Sequence, residues 1–487
     1  MSNVVKKELP ENWVWTTMDN ISDVVGGGTP KSKEKRFYQN GSIPWLTPAD
    51  LSGYKEKYVS NGARFITEDG LNSSSAKIMP AGTVLFTSRA PIGYVVIAKN
   101  EICTNQGFKS FVIKSDKILP DYVYWWLKGS KQLAESFASG TTFLELSGSK
   151  AKQLPIPIAP LEQQKRIVAK IEELFSHIDA GIEALNKAIQ LPKQYRQSVL
   201  KAAVTGELTK EWREQNKDKL AASDKLVQQL EMSKKNHNEN VISRWEEAKK
   251  KWKEQGEIGK RPGKPKVTNE LLELDEDLLA DLPSLPDTWA WVLLGDIGDA
   301  IDPQPSHRTP PKVEDGIPYI GIGDVDKVKG EINFENARKV SSDVLKEHAI
   351  RYDLKEGDFI IGKIGTIGKP FQIPIERFYT LSANVVLVCP NTSLIEPGYL
   401  FNLCKSPLIE YQFDSGSKAT TQAAFGIKKV RLLAVPFCSI EEQKIIVQKM
   451  EECLEKAGRL DAELDHQLLK AEKNKQSILA SVFRGNL

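Results

Sequence analysis

Residues 161–179 read LEQQKRIVAKIEELFSHID, and residues 440–458 read IEEQKIIVQKMEECLEKAG. Laid on one another they agree at Glu162 and Glu441, Gln164 and Gln443, Lys165 and Lys444, and Ile167–Val168 and Ile446–Val447. The same offset carries residues 154–208 onto 433–487 without a gap. Pro157 then meets Pro436, Gln197–Ser198 meets Gln476–Ser477, Leu200 meets Leu479 and Gly206 meets Gly485. Two helices that shared only a heptad would not also share a proline, a glycine and a Gln-Ser pair. The stretch is a duplication, and a repeat of this length governs every later reading of the chain.

The apolar residues say what was duplicated. Ile167, Ile171, Leu174, Ile178, Ile182, Leu185 and Ile189 recur at steps of three and four, and so do Ile446, Met450, Cys453, Ala457, Leu460, Leu464 and Leu468. That spacing predicts a coiled-coil seam of about three heptads in each copy. Ile167, Ile171, Leu174, Ile178, Leu185, Ile446, Met450, Leu460 and Leu464 are its expected contacts. A helix of some 40 residues rises roughly 60 Å, more than one compact unit can cover, so each is expected to pair with its copy. A duplicated unit that meets itself across a two-fold pairs antiparallel, which would turn the helices into a stiff spacer between two globular units. Pro155, Pro157, Pro160 and Pro436 are expected to stop a strand and lead into the helices. Pro192 predicts a kink.

Upstream the repeat is looser but persists. LPENWVW (9–15) echoes LPDTWAW (285–291), GSIPWLTPADL (41–51) echoes DGIPYIGIGDV (315–325), and VLFTSRAPIG (84–93) echoes FIIGKIGTIG (359–368). Short β-type runs, Gly/Pro turns and helix-like stretches such as YVYWWLKGSKQLAESFA predict an α+β unit in each half. The expected organisation is two similar globular domains, 1–155 and 285–435, with repeated helical regions 156–208 and 436–487. The two long helices pack as an antiparallel coiled coil, giving an internal pseudo-two-fold repeat. Residues 209–284 match neither copy. Their charge-dense RWEEAKKKWKEQGEIGKRPGKPK predicts a partly helical linker or insertion with a flexible GKRPGKPK segment.

Bulk composition limits the function classes. A chain of 487 residues with 40% hydrophobic and 27% charged residues fits a multidomain globular protein. No apolar run approaches a membrane span, and MSNVVKKELPENW has no apolar core of a signal peptide, so a cytoplasmic location is expected. The five cysteines contain no C-x-x-C and the five histidines no H-x-x-x-H, so neither a zinc site nor a disulfide framework is expected.

Catalytic signatures are missing as well. GKIGTIGKP (362–370) has glycines at the wrong spacing for a phosphate loop, with Pro370 where a magnesium-binding hydroxyl belongs. Gly26–Gly28 precede Thr-Pro, which predicts a turn and not a helix start. Glu247-Ala-Lys249 resembles the end of a nuclease motif but lies in the charged insertion. No G-x-S-x-G occurs, nor the acceptor-amine motif of an amino-methyltransferase.

GGGTPKSKEKRFYQNGSIPWLTPADL, VLFTSRAPIGYVVIA, TNQGFKSFVI and SGTTFLELSGSKAKQLPIPIAPLEQQKRIV resemble successive motifs of the specificity subunit of type I restriction–modification systems. SGSKATTQAAFGIKKVRLLAVPFCSIEEQKIIV and the closing SILASVFRGNL extend the resemblance to the second half. It implies two target-recognition domains, each reading half of a bipartite asymmetric site in double-stranded DNA. It further implies helices that set the half-site spacing and dock two methyltransferase subunits. S-adenosylmethionine would be carried by those partners, and ATP with magnesium by a motor-nuclease subunit, leaving no cofactor and no catalysis in this chain.

Residues 1–155 carry a net charge of about +5 and residues 285–435 about −2, so DNA grip is expected to be local and shared with the partners. The expected DNA contacts in the first unit are Lys31, Lys33, Lys35, Arg36, Ser88, Arg89, Asn105, Gln106 and Lys109. In the second they are Arg308, Lys312, Lys363, Lys369, Asn384, Thr420, Thr421 and Gln422. Arg can fork onto guanine, and Asn or Gln onto adenine. An alternative of another class is a duplicated coiled-coil adaptor that holds two proteins without reading DNA. A heptad added to both helices, about 10 Å, should lengthen the site's spacer by roughly three base pairs and leave both half-site words intact. Methylation mapping of the altered system checks this.

Overall fold

The computed structural model describes residues 9–89, 91–140, 144–254, 256, 261, 263–265, 267–306, 308–326, 330–363, 367–417 and 426–485. The chain divides into two compact units, the first comprising Met1–Ala188 with Glu463–Leu487 and the second Ile189–Ala462. Both are α+β, and their sheets repeat one another.

In the first unit, Val14–Thr17 pairs antiparallel with Pro155–Ile158, Trp15 lying opposite Pro157. A five-stranded sheet runs in the order Ser22–Gly26, Lys109–Ile113, Val84–Ser88, Ile92–Ala98, Tyr58–Val59. A three-stranded sheet orders Arg64–Ile66, Ile43–Leu46, Cys103–Thr104. In the second unit Ala290–Leu293 pairs with Ala434–Phe437, Trp291 opposite Pro436. Its four-stranded sheet runs Gly298–Ile301, Val385–Pro390, Phe359–Gly362, Pro370–Gln372, and its three-stranded sheet Arg338–Val340, Ile317–Ile320, Thr380–Leu381. Pro155, Pro157 and Pro436 therefore lie inside strands, not after them. A two-stranded ribbon tolerates proline because each strand has a free edge that needs no amide donor.

The repeated Gln of the helix phrase has a structural reason. Gln164 and Gln443 are fully buried. Gln164 accepts from the Leu119 amide (3.0 Å) and donates to the Ala159 and Lys117 carbonyls (2.8 and 3.1 Å). Gln443 accepts from the Glu396 amide (2.7 Å) and donates to the Cys438 and Leu394 carbonyls (2.8 and 3.3 Å). Each amide ties the start of a long helix to the turn that opens the helix Pro120–Gly129 or Pro397–Cys404. A shorter or apolar residue would leave buried backbone groups unpaired. The Tyr122 and Tyr399 hydroxyls repeat the pattern, donating to the carbonyls of Pro157 and Pro436.

The expected helix 156–208 is two helices, Leu161–Ala188 and Gln190–Val204, the break falling just ahead of Pro192. Ile440–Val482 is one helix of 43 residues. The units do not follow the expected boundaries here. Gln190–Val204, which follows the first globular domain in sequence, packs in the second unit, where Val199, Ala203 and Val204 join Trp289, Tyr399, Ile446 and Met450 in one buried cluster. The C-terminal turns of Ile440–Val482 belong to the first unit, where Leu479, Val482 and Phe483 join Tyr122, Leu127, Ile156 and Ile171.

Helix pairing is antiparallel within each unit. In the first, Lys475 pairs with Asp179, and further along Phe483 reaches Tyr122 and Trp126, both at 5.2 Å between ring centroids. In the second, Asp461 pairs with Arg196 (2.6 Å) and Lys449 donates to the Leu208 carbonyl (3.2 Å). Ile171, Ile446, Met450 and Leu464 are buried, and Ile167, Leu174, Ile178 and Leu185 half-buried. Leu460 departs from the expectation at 46% exposure. The buried stripe runs through Ala457 and Leu464, and on the face beside it Asp461 meets Arg196. The paired glycines end the repeat in both copies: Gly206 and Gly485 each have φ of 78°, the left-handed conformation of a helix C-terminus.

The described residues of 209–284 group with the second unit. Ser223–Glu254 forms a helix of 32 residues. Leu226 and Leu230 enter the core, Lys234 pairs with Asp296 (2.7 Å) and Asn238 donates to the Thr268 carbonyl (2.8 Å). These four residues, at steps of four, make one face of the helix, and two of them are polar, which hides the stripe from a hydrophobic pattern. Half of GKRPGKPK lies outside the described residues. Ahead of this helix, Arg213 pairs with the fully buried Glu442 at 2.5 Å. The Glu442 carboxylate also accepts from the Thr209 hydroxyl (2.7 Å) and the Trp289 indole (3.0 Å). The equivalent group in the first copy is neutral: Gln163 accepts from the Trp13 indole at 2.7 Å. No helix among the described residues is long and apolar enough to cross a membrane.

Candidate nucleic-acid interface

Backbone contacts gather four segments at one end of the larger sheet in the first unit. The Gly28 amide donates to the Thr104 carbonyl (2.9 Å) and the Trp45 indole to the Gly28 carbonyl (2.9 Å). A Cβ on Gly27 would collide with the Asn105 backbone. The glycines serve close approach of two chain segments, as expected of a turn and not of a phosphate cradle. The Ser88 amide donates to the Gly107 carbonyl (2.7 Å), and the Leu146 amide to the Ser88 carbonyl (2.9 Å). Segments 27–36, 88–89, 105–109 and 144–150 therefore adjoin.

Lys31, Lys33, Lys35 and Arg36 are exposed, Arg36 lying 4.9 Å over the Phe37 ring. Arg89 and Lys109 are half-buried. Arg89 pairs with Glu145 at 3.6 Å. Burial lowers the pKa of the Lys109 ammonium; Glu145 acts against that shift and Arg89 adds to it. Gln106 is exposed and bonds the Thr29 hydroxyl.

Two residues of the expected set make contacts within the fold. Ser88 is fully buried, its hydroxyl on the Gly107 carbonyl (3.1 Å). It ends a strand whose five residues all point into the core or the sheet packing. The Asn105 side chain closes its own turn by accepting from the Gly107 amide (2.9 Å).

A residue absent from the expected set joins this end. Arg64, exposed, sits opposite Trp45 across the strand pair and stacks on it at 4.9 Å, with Tyr38 at 6.0 Å. Stacking holds the guanidinium fork in one orientation. Nothing in GARFIT announces this, because the cross-strand partner lies 19 residues away and is fixed only by register.

The second unit repeats the frame with different side chains. The Lys363 amide donates to the Asn384 carbonyl (2.8 Å), as Ser88 does to Gly107. Arg308, Lys312 and Lys369 are exposed. Lys363 is not a reader: its side chain is 11% exposed and paired with Asp302 at 3.2 Å. The Asn384 carbonyl oxygen accepts from the Ile322 amide (3.1 Å) and from the Ser382 hydroxyl. The Arg338 guanidinium, also absent from the expected set, donates to the Pro310 carbonyl (2.7 Å) and braces the loop that carries Arg308 and Lys312. Thr420, Thr421 and Gln422 lie outside the described residues. Among the described residues no cluster of three or more His, Cys, Asp or Glu is placed to hold a metal ion. The arrangement presents exposed cations on braced loops, suited to phosphate and base-edge contact.

The family model of the type I restriction modification DNA specificity domain matches the chain twice, over residues 10–191 and 286–468. The type I restriction enzyme MjaIX specificity subunit of Methanocaldococcus jannaschii is 42% identical over 183 residues, 37% of this chain and 41% of that protein. The chain thus aligns with less than half the length of that relative. The EcoBI specificity subunit of Escherichia coli is 23% identical over 98% of this chain and 87% of its own length. A solved structure of a type I R-M system superposes with a TM-score of 0.60 at 17% identity, covering 99% of this chain and 100% of that one. The HsdS subunit from Thermoanaerobacter tengcongensis gives 0.54, also at 17% identity and covering 99% of each chain. At that identity the two structures speak for the fold.

Proposed function

The chain belongs to the type I restriction–modification DNA specificity family, and from that membership we propose that it is a non-catalytic specificity subunit whose two units each read one half of a bipartite, asymmetric duplex site. The observation that carries the reading is the double match of the family model onto two units that share one sheet plan. Each unit also offers braced loops with exposed cations, Lys31–Arg36 in the first and Arg308 with Lys312 in the second. The long helices dock two methyltransferase subunits, and a motor-nuclease subunit completes the restricting complex. S-adenosylmethionine and ATP with magnesium reside in those partners. The assembly works on DNA in the cytoplasm.

Arg89→Ala tests the division of labour. Loss of a forked base contact should cost about 1–3 kcal/mol of discrimination at the first half-site. The second half-site should be read as before. Arg308→Ala should do the reverse. Affinities of the assembled complex for the cognate duplex, and for duplexes altered in either half, decide it. Loss at both halves from either substitution would contradict the two-reader model.

A further inference from the structure

Strand pairing matches an arginine of one unit to an arginine of the other. Arg64 lies opposite Trp45, Phe65 opposite Pro44 and Ile66 opposite Ile43. Arg338 lies opposite Tyr319, Lys339 opposite Pro318 and Val340 opposite Ile317. The turn after each inner strand agrees as well. The Asp50 carboxylate accepts from the Thr47 amide (2.7 Å), and the Asp324 carboxylate from the Gly321 amide (2.8 Å). Trp45, Asp50 and Arg64 therefore correspond to Tyr319, Asp324 and Arg338, all at one offset.

The two arginines nevertheless have different work. Each unit carries a Thr-Pro turn, Thr29–Pro30 or Thr309–Pro310, whose proline is buried. A buried carbonyl needs a donor. In the first unit the Tyr38 hydroxyl donates to the Pro30 carbonyl (2.6 Å). The second has no tyrosine between Pro310 and Ile317, and Arg338 Nη1 donates to the Pro310 carbonyl instead (2.7 Å). Arg64 is thereby released from the brace. The carboxylate beside it is committed too, since Asp50 accepts from the Thr47 hydroxyl (2.7 Å) and the Ala63 amide (2.9 Å). Among the described residues nothing accepts a hydrogen bond from the exposed Arg64 guanidinium. Its place is fixed all the same. Trp45, 2% exposed, packs among Ile43, Ile66 and Cys103 and donates its indole N–H to Gly28. Arg64 lies over this ring, with Tyr38 edge-on to Trp45 beside it. Gly28 opens the loop of Lys31–Arg36, and the Leu46 carbonyl next to Trp45 accepts from the Asn105 amide (2.9 Å), so the fork stands beside both loops.

We infer that Arg64 reads a guanine of the first half-site, and that Arg338, its counterpart, braces the loop of the second unit and reads no base. This rests on the reading of the first unit as a DNA reader. A planar guanidinium, held by a ring and left unpaired by the protein, matches the O6 and N7 acceptors of guanine in the major groove. A phosphate contact asks only for charge, which Lys31, Lys33 and Lys35 already supply at this end.

The test uses the assembled complex. Affinity is measured for the cognate duplex, for duplexes with each base pair of either half-site replaced singly, and for an unrelated duplex. Arg64→Ala should lower discrimination by about fivefold to a hundredfold at one G·C pair of the first half-site, and leave discrimination at the other pairs as it was. Arg64→Lys, which keeps the charge without the planar fork, should lose most of that discrimination and bind the unrelated duplex as before. Arg338→Ala should weaken reading across the second half-site and relax no single pair. Uniform weakening by Arg64→Ala on every duplex, with full rescue by lysine, would reassign the residue to phosphate and overturn the proposal. So would no change, or relaxation at an A·T pair. Relaxation of one pair alone by Arg338→Ala would overturn the division between the two arginines. Failure of the unaltered complex to discriminate at the first half-site would bring down the DNA-reading assignment itself, and this inference with it.

Discussion

Arg213→Ala is expected to remove about 3–5 kcal/mol from the stability of the second unit. The reason is the Glu442 carboxylate, fully buried and held by Arg213, Thr209 and the Trp289 indole. Without the guanidinium, a buried charge keeps only neutral donors, and its desolvation is no longer offset. Arg213 also stacks over Trp289 (5.6 Å) and donates to the Gly206 carbonyl (2.8 Å), so packing and a helix-end bond are lost with it. The first copy shows how the site works without charge, since Gln163 meets the Trp13 indole there. The double variant Arg213→Leu with Glu442→Gln should therefore recover most of the loss. Denaturant unfolding followed by exchange of amides in Phe359–Gly362 and Val385–Pro390 reads out the second unit. A cost below about 1 kcal/mol for Arg213→Ala would show that the pair is not a structural keystone.

Phe483→Ala should destabilise the first unit, at the opposite end of the sequence, by about 3–5 kcal/mol. Phe483 is 4% exposed and fits edge-on between Tyr122 and Trp126, beside Leu479 and Val482. Truncation leaves a cavity against two large rings that a well-packed sheet cannot close. Hydrogen exchange should speed up in Val84–Ser88 and Ile92–Ala98 and stay unchanged in Phe359–Gly362. Equal acceleration in both units would mean that the C-terminal turns do not belong to the first core.

The duplication, the α+β character and the antiparallel helix pairing were legible because each leaves a local trace. Pro157, Gln164 and Gly206 recur because a ribbon strand, a buried amide and a left-handed helix end recur. What stayed hidden depends on partners far along the chain. Ser88 and Lys363 look like turn residues beside exposed loops, but one closes a buried strand and the other meets Asp302, 61 residues away. Leu460 satisfies the heptad and is nevertheless exposed, because Asp461 pairs with Arg196 beside the seam. The insertion read as solvated because half of its docking face is Lys234 and Asn238, polar groups satisfied by Asp296 and Thr268. The exposed members of the DNA set, Lys31, Lys33, Lys35, Arg36, Gln106, Arg308, Lys312 and Lys369, are the ones that lie in turns and loops outside the strands. Arg64 was missed because its aromatic support comes from a neighbouring strand.

The reach of Leu479, Val482 and Phe483 back into the core of Tyr122 and Ile171 bears on how the protein is made. Domains nearest the N-terminus ordinarily fold as they leave the ribosome, at about 5–20 residues per second. Here the first core waits for side chains that follow its own last strand by some 300 residues, a delay of roughly 15–60 s at that rate. During that interval the apolar faces of Tyr122, Trp126 and Ile171 lack their lid. A nascent chain stalled before Leu479 should therefore be the species that chaperones hold.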